Sequence, residues 1–444
     1  MIAFASLFLG LVVGLQPVSV AVQGPVAVVS FELDGKTVGR AARPPWTLPV
    51  DFGGDLSPHE LVARAFDREG GELGEARQFV NLPRPPAEVD VLLERDAKDK
   101  AVAARVLAQS LVGGLPTRVY ATFDDAPLFS MDPSRFQLPD YDPEARHVLM
   151  VEFEFSSAVR SRTDVVLGGG ASSVARSELT AVALRRGPGV PFPEAAELAG
   201  ALSVSVRVLP VVAVEGGPAL VCVVRSPSVN LALQVLGTGG RTSFVVQPGS
   251  ARRLPQFDRD FRRYAMALEP DDVLRFVWPV ARPAPASPAE LYDESHDYSG
   301  RDGGVHWLLT RVEHPERPTK DLHLADATAI AGLQASASGS RRAVVLVLGD
   351  ESKDSSRHAP AVVRRYLASI RVPLFVWSLK RSTSQPLAAA WGKVEDVSTA
   401  ENLDSAVQRL KAELARQRIV WVQGRHLPQD ITLSDKISGL EFAR

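Results

Sequence analysis

The sequence predicts a multidomain protein in which β-sandwich modules precede a doubly wound α/β domain. Short β-type segments separated by turn residues fill residues 25–186, a pattern typical of sandwiches. From about residue 195 onward, β-type and helical segments alternate, which favours a largely parallel sheet covered by helices. A chain of 444 residues, 45% of them hydrophobic, has room for about two to four domains with separate cores.

The N-terminal segment is predicted to be a signal peptide over residues 1–21. Residues 1–31 carry no charged side chain, and residues 2–15 are apolar apart from one serine and two glycines. Small residues follow at Ser19 and Ala21, as at cleavage sites. We therefore expect export to the periplasm or the extracellular space. No lysine or arginine precedes the apolar run, so an uncleaved membrane anchor stays open as the alternative.

Charge and cysteine content exclude two classes of protein. The formal net charge of −2 provides no positive surface for nucleic acid. Cys222 is the single cysteine, so the chain cannot form an intrachain disulfide. Valines flank Cys222 on both sides, which predicts a small buried apolar residue rather than a reactive thiol.

Two β modules are predicted before residue 190. The first spans residues 25–85, where Asp34-Gly35 marks a tight hairpin turn between apolar strands. The second spans residues 86–186 and contains further strand candidates separated by proline and aspartate clusters. The glycines at 168–170 follow a strand but lack the lysine and glycine spacing of a phosphate loop, so they predict a turn.

The α/β domain is predicted over residues 195–425, with a long loop at 281–304 and a C-terminal tail at 426–444. Its most informative part is 341–379, which predicts strand, acidic loop, helix and strand. The apolar run at 343–348 is typical of a strand buried on both faces. Pro360 then opens a helix whose apolar residues recur at helical spacing.

Two family resemblances follow from these motifs. The strings VSFELDG, PPWTLPV and AFDREG resemble the immunoglobulin-like modules of exported bacterial proteins over roughly 60 residues. The strings RRAVVLVL, VRRYLASIRVPLFVWSL and IVWVQGRHLPQ resemble the von Willebrand factor A domain, over roughly residues 200–425. Together they resemble the bacterial von Willebrand A-related proteins, which carry a β-rich N-terminal part.

That resemblance implies a divalent-cation site, and the sequence departs from it. The family supplies oxygen ligands from D-x-S-x-S after the first strand, from a threonine, and from an aspartate after the fourth strand. Asp350 matches the last of these, but Arg225 stands at the first ligand position, followed by Ser226 and Ser228. Thr319 lies too early for the helix that follows it. We expect no cofactor and no metal, with Asp350 as the remnant of a lost site.

Other sites stay open as alternatives. A divergent cation site, for Mg²⁺ as an example, would use Glu351 or Asp354 beside Asp350. The alternate oxygens from Asp293 to Ser299 resemble a calcium loop, but the glycine and the final glutamate of that loop are missing. An enzyme, or its regulatory subunit, would gather side chains of the 281–304 loop and its surroundings: Asp293, His296, Asp297, His306 and Asp350.

The first functional hypothesis is an exported, non-catalytic protein that binds a protein partner. Its partner would contact sheet edges or the loops 225–230, 350–358 and 380–386. The candidate partner-binding residues are Arg225, Ser226, Ser228, Asp350, Glu351 and Asp354. Metal-dependent adhesion is the alternative, and it requires Ser226 and Ser228 to face Asp350. The membrane is expected as a partner only if the N-terminal segment is retained.

Overall fold

A computed structural model of the chain shows two compact units. The first comprises Met1–Glu178 and Ala284–Leu291, and the second comprises Leu179–Pro283 and Tyr292–Arg444. The structure describes residues 2–6, 8, 10–84, 87–96, 98, 100–110, 116–156, 159–169, 173–174, 179–225, 268–281, 292–300, 309, 312, 321–349, 353–378, 389–398, 400–434 and 437–444.

The first module is a β-sandwich. Its strands are β1 (Ile2–Phe4), β2 (Leu15–Val22), β3 (Val28–Leu33), β4 (Lys36–Ala41), β5 (Thr47–Asp51), β6 (His59–Phe66) and β7 (Glu72–Val80). One antiparallel sheet has the order β1-β2-β5 and the other β4-β3-β6-β7. Phe4 and Val18 from the first sheet and Phe31 and Leu61 from the second share one buried core. The sandwich predicted for this region is confirmed.

The N-terminal segment differs from the expectation of a cleaved signal peptide. β1 pairs with β2, and Ile2, Phe4, Val18 and Val20 are all buried in the sandwich core. Cleavage after residue 21 would remove β1 and nearly all of β2 from this core. An uncharged apolar run fits a buried strand as well as a signal peptide, because both require a short segment of apolar residues.

The second module is also a β-sandwich. Its strands are β8 (Ala87–Arg95), β9 (Ala101–Ser110), β10 (Arg118–Phe123), β11 (Ala126–Pro127), β12 (Arg135–Gln137), β13 (His147–Ser156), β14 (Val159–Leu167) and β15 (Ser173–Val174). Sheets β12-β9-β8 and β11-β10-β13-β14-β15 enclose one core, to which Val91, Val106, Phe123, Leu149 and Val165 contribute. The module ends before residue 179, earlier than the predicted 186.

Both modules contain the same histidine–aspartate corner. Asp34 and Asp124 each come directly after a strand, in a tight turn. Their φ angles are positive, at 51° and 48°. Their carboxylates contact Nδ1 of His59 and His147 at 2.7 and 2.5 Å. Each carboxylate also accepts the backbone N–H of the residue after the histidine, at 2.9 and 2.8 Å. The repeated corner indicates that the two sandwiches are copies of one structural plan.

We expect these corners to make stability depend on pH. Burial lowers the pKa of His59, but the bond to Asp34 outweighs it and the net pKa is raised; the Asp124 bond raises the pKa of His147. The pKa of Asp34 is lowered, since its bonds outweigh its burial, and the His147 bond lowers the pKa of Asp124. The aspartate contribution is present above about pH 4 and is lost as pH falls through the lowered carboxyl pKa. The histidine contribution is present below about pH 6.5 and is lost as pH rises through the raised histidine pKa.

Urea unfolding of the wild type and of the His59→Gln/His147→Gln double variant, at pH 6 and at pH 8.5, measures this effect. The free energy of unfolding of the wild type should exceed that of the variant by a larger amount at pH 6 than at pH 8.5. An equal difference at both pH values would show that folding does not raise the pKa of these histidines.

The second unit begins with an antiparallel part that the sequence did not predict. Its strands are β16 (Leu179–Arg186), β17 (Leu202–Val204), β18 (Arg207–Val208), β19 (Val211–Glu215), β27 (Gln417–Gln423), β28 (Ile431–Leu433) and β29 (Leu440–Phe442). They form sheets β19-β27-β16-β29 and β18-β17-β28, which share a core. Residues 179–186 therefore belong to the second unit and not to the second sandwich. The predicted tail at 426–444 contains β28, which pairs with β17, and β29, which pairs with β16. Strand β27 falls within the α/β domain predicted over residues 195–425, but it lies in this antiparallel sheet.

The rest of the second unit is a parallel sheet with helices. Its strands are β20 (Ala219–Arg225), β21 (Val273–Ala281), β22 (Tyr292–Glu294), β23 (Tyr298–Ser299), β24 (Arg341–Leu348), β25 (Leu374–Ser378) and β26 (Glu395–Asp396). The order is β22-β21-β20-β24-β25-β26; β21, β20, β24, β25 and β26 are parallel, while β22 and β23 pair antiparallel with β21. The strand–helix–strand unit predicted at 341–379 is present.

Three described helices accompany this sheet: α1 (Leu324–Ala337), α2 (Pro360–Ser369) and α3 (Ala400–Arg416). Buried residues of α3, such as Leu403 and Leu410, share a core with Val221 and Val345. Helices α1 and α2 pack against each other, since a Cβ at Gly332 would meet Leu367 at 1.9 Å.

Candidate functional site

The candidate site lies at the carboxyl edge of the parallel sheet, between β20 and β24. The chain leaves β20 toward its neighbour β21 on one side, and leaves β24 toward β25 on the other. Doubly wound sheets bind ligands at the point where the connections from two adjacent strands run in opposite directions along the sheet. We call this place the switch point.

Arg225 is the last residue of β20 and lies at the switch point, where it is 3% exposed. Its Nη1 donates to the carbonyl oxygen of Leu309 at 2.5 Å, and its Nη2 donates to the carbonyl oxygen of Val312. The guanidinium carbon lies 5.8 Å from the ring centre of Phe276 and 5.3 Å from that of Trp278. A permanent positive charge is therefore held by carbonyls and aromatic faces at the ligand end of the sheet.

Asp354, a predicted partner-binding residue and alternative metal ligand, caps a helix instead. Its Oδ1 accepts the N–H of Leu324 at 3.0 Å, and its Oδ2 accepts the N–H of Ala325 at 3.1 Å. Ser356 donates its hydroxyl to Asp354 Oδ1 at 2.6 Å and also accepts the Ala325 N–H at 2.9 Å. Both carboxylate oxygens thus satisfy the first turn of α1, whose dipole favours a negative charge there.

Asp326 completes a reciprocal clamp between α1 and the loop 353–358. Its carboxylate accepts the backbone N–H groups of Arg357 and His358 at 2.8 and 3.1 Å, and contacts His358 Nδ1 at 2.7 Å. Burial raises the pKa of Asp326, but these bonds outweigh it and the net pKa is lowered. Sequence reasoning missed this clamp. An acidic residue in the first turn of the helix was the available signal.

The clamp does not form a nucleophilic triad. The hydroxyl of Ser356 is bonded to Asp354 and to amides of α1, while Nε2 of His358 is buried and has no hydrogen-bond partner among the described residues. An activated serine needs a hydrogen bond to its base, and that bond is missing here. Nearby Tyr292 is buried, and burial together with the charges of Asp326 and Asp354 raises its pKa, so the phenol stays neutral.

Of the residues proposed for an enzyme or calcium site, His296 and Asp297 are described, and each contacts a partner outside the proposed set or an aromatic neighbour. Asp297 forms two bonds with Arg275, at 2.7 and 2.9 Å, and His296 packs against Tyr298 at 4.1 Å. The side chains of Asp293, His306, Asp350, Glu351, Ser226 and Ser228 lie outside the described residues. Within the described part of the chain, no group of three or more histidine, cysteine, aspartate or glutamate side chains is arranged to hold a metal.

Two further features bear on function. Cys222 is fully buried, and burial raises the pKa of its thiol to about 12, as expected of an inert residue. In the described ranges, none of the helices has the length and apolar character needed to cross a membrane.

Comparison with known proteins does not identify a family. No family model and no curated protein matches the chain. Fibronectin(III)-like modules of CbhA from Clostridium thermocellum are 18% identical and cover 19% of this chain and 100% of their own, with a TM-score of 0.16. The central fibronectin-III array of RIM-binding protein is 10% identical and covers 46% of this chain and 82% of its own, with a TM-score of 0.20.

A β-glycosidase from Bacteroides vulgatus is 11% identical, and its match covers 35% of this chain and 22% of its own, with a TM-score of 0.16. TM-scores this low support no inference about function. The β-sandwich assignment therefore stands on the sheets and shared cores of the two modules themselves.

Proposed function

We propose that the chain is a non-catalytic protein-binding protein whose α/β domain is of the von Willebrand A type, with an arginine in place of the cation. The buried Arg225 guanidinium at the switch point carries this proposal. A fixed positive charge there repels a divalent ion, so binding at this edge would not depend on metal. The doubly wound sheet order and the sandwich modules are consistent with such an architecture.

The alternatives have less support. Metal-dependent adhesion needs an oxygen ligand at position 225, where a guanidinium stands. An enzyme site around 281–304 needs free carboxylates, but Asp297 is paired with Arg275. Immunoglobulin-like kinship of the sandwiches and export to the periplasm or the extracellular space remain part of the proposal, and strands β1 and β2 belong to the first module.

A capture experiment tests metal-independent binding through the loop 353–358. Lys353 and Arg357 are exposed in this loop, and α2 offers the exposed Arg365 as a control outside it. The tagged full chain should capture a partner from its own envelope fraction equally well with and without EDTA. Reversing the charge at both loop positions, Lys353→Glu/Arg357→Glu, should lower the yield at least tenfold.

The control variant Arg365→Glu should capture as the wild type does. Loss of capture in EDTA would favour metal-dependent adhesion. Equal capture by the loop variant, or no specific capture at all, would contradict binding through this edge.

A further inference from the structure

A small pocket outside the switch point lies between α2, β25 and the segment that leads to β26. Its volume is about 170 Å³. Its floor is apolar and comes from Leu367, Val376 and Trp391, which are 1%, 4% and 1% exposed. A cavity of this size holds a small molecule rather than a peptide, since pockets for drug-sized ligands are several times larger.

The rim of this pocket is entirely basic. Arg364, Lys393 and Arg444 line it, all three are exposed, and no acidic side chain is among the described lining residues. Burial and then the charge of Arg444 lower the pKa of the neighbouring Arg371 to about 10. The pocket therefore combines an apolar floor with an excess of positive charge.

The backbone of Gly392 leaves room for the guanidinium of Arg364. Gly392 has a φ of +82°, and a Cβ built there would lie 2.6 Å from Nη1 of Arg364. The guanidinium thus lies directly against the backbone, in space that any side chain at position 392 would fill.

We propose that this pocket binds a small organic carboxylate with an apolar body, such as an aryl acid. The carboxylate would accept charge-assisted hydrogen bonds from the rim, with Arg364 as the main donor. The apolar body would cover Trp391 and its neighbours on the floor and lose its contact with water. This site is independent of the proposed partner-binding edge.

Titration calorimetry of the full chain with benzoate tests the proposal. We expect a dissociation constant on the order of 1 mM at low salt, typical of a ligand of this size. Benzamide, which has the same shape without the charge, and sulfate, which has charge without an apolar body, should each bind at least tenfold more weakly.

Two matched variants localise the binding. Arg364→Gln should weaken benzoate binding about tenfold, as expected for the loss of one charge-assisted contact. Arg365→Gln removes the next arginine of α2, which does not line the pocket, and should leave binding unchanged. The proposal is overturned if benzoate does not bind, if benzamide or sulfate binds equally well, or if Arg364→Gln behaves like Arg365→Gln.

Discussion

Replacing Asp272 with alanine should destabilise the second unit by about 3–5 kcal/mol, the largest effect expected in this chain. Asp272 is 2% exposed, and its Oδ1 accepts a hydrogen bond from Nη2 of Arg341, which is 8% exposed, at 3.0 Å. The same oxygen accepts the N–H of Ala219 at 2.8 Å, where β20 begins. Its loss leaves a buried guanidinium without its carboxylate and a strand amide without its acceptor.

Unfolding in guanidinium chloride, combined with hydrogen exchange, measures this effect. The amides of β20 and β24 should lose most of their protection in Asp272→Ala, while the amides of the two sandwiches keep theirs. Asp271→Ala is the matched control: it changes the exposed neighbour and should cost less than about 1 kcal/mol. If both variants unfold alike, the buried pair does not hold the amino ends of the strands together.

Replacing Arg225 with alanine should destabilise the second unit by about 3 kcal/mol. The variant leaves the carbonyl groups of Leu309 and Val312 without the guanidinium donor. It also removes the aliphatic stem and the cation from the faces of Phe276 and Trp278. We expect the carboxyl end of β20 to unfold before the rest of the second unit in this variant.

Chemical denaturation of Arg225→Ala measures the loss, and Arg207→Ala, an exposed arginine of β18, is the control. The control should stay within about 0.5 kcal/mol of the wild type. A stable Arg225→Ala variant would mean that the guanidinium does not organise the switch point, and the central argument for metal-independent binding would fail.

The parallel sheet could be predicted because its strands are buried on both faces. Every residue of β24 is buried, and its continuous apolar run at 343–348 reports that environment directly. Helix α2 was equally predictable, because Pro360 stands at its first turn and Val363, Tyr366 and Leu367 form its buried stripe. Local patterns of this kind need no knowledge of distant partners.

The remaining features of the fold and of the candidate site depend on long-range contacts, which local sequence patterns do not show. The alternation in residues 179–186 fits a strand in either unit, and only pairing with β27, more than 230 residues away, decides between them. Asp354 caps a helix that begins 30 residues earlier, whereas sequence signatures detect only caps within the same helix. For the same reason, Asp326 and His358 were not recognised as partners.

Direct measurement of Mg²⁺ and Mn²⁺ binding to the full chain is the most decisive test. With Arg225 at the switch point, we expect no saturable binding at millimolar concentrations of either ion, and an unfolding midpoint that does not change on addition of EDTA. Millimolar or tighter binding of either ion that is abolished by Asp350→Ala would contradict the arginine-filled site and restore the metal-dependent alternative.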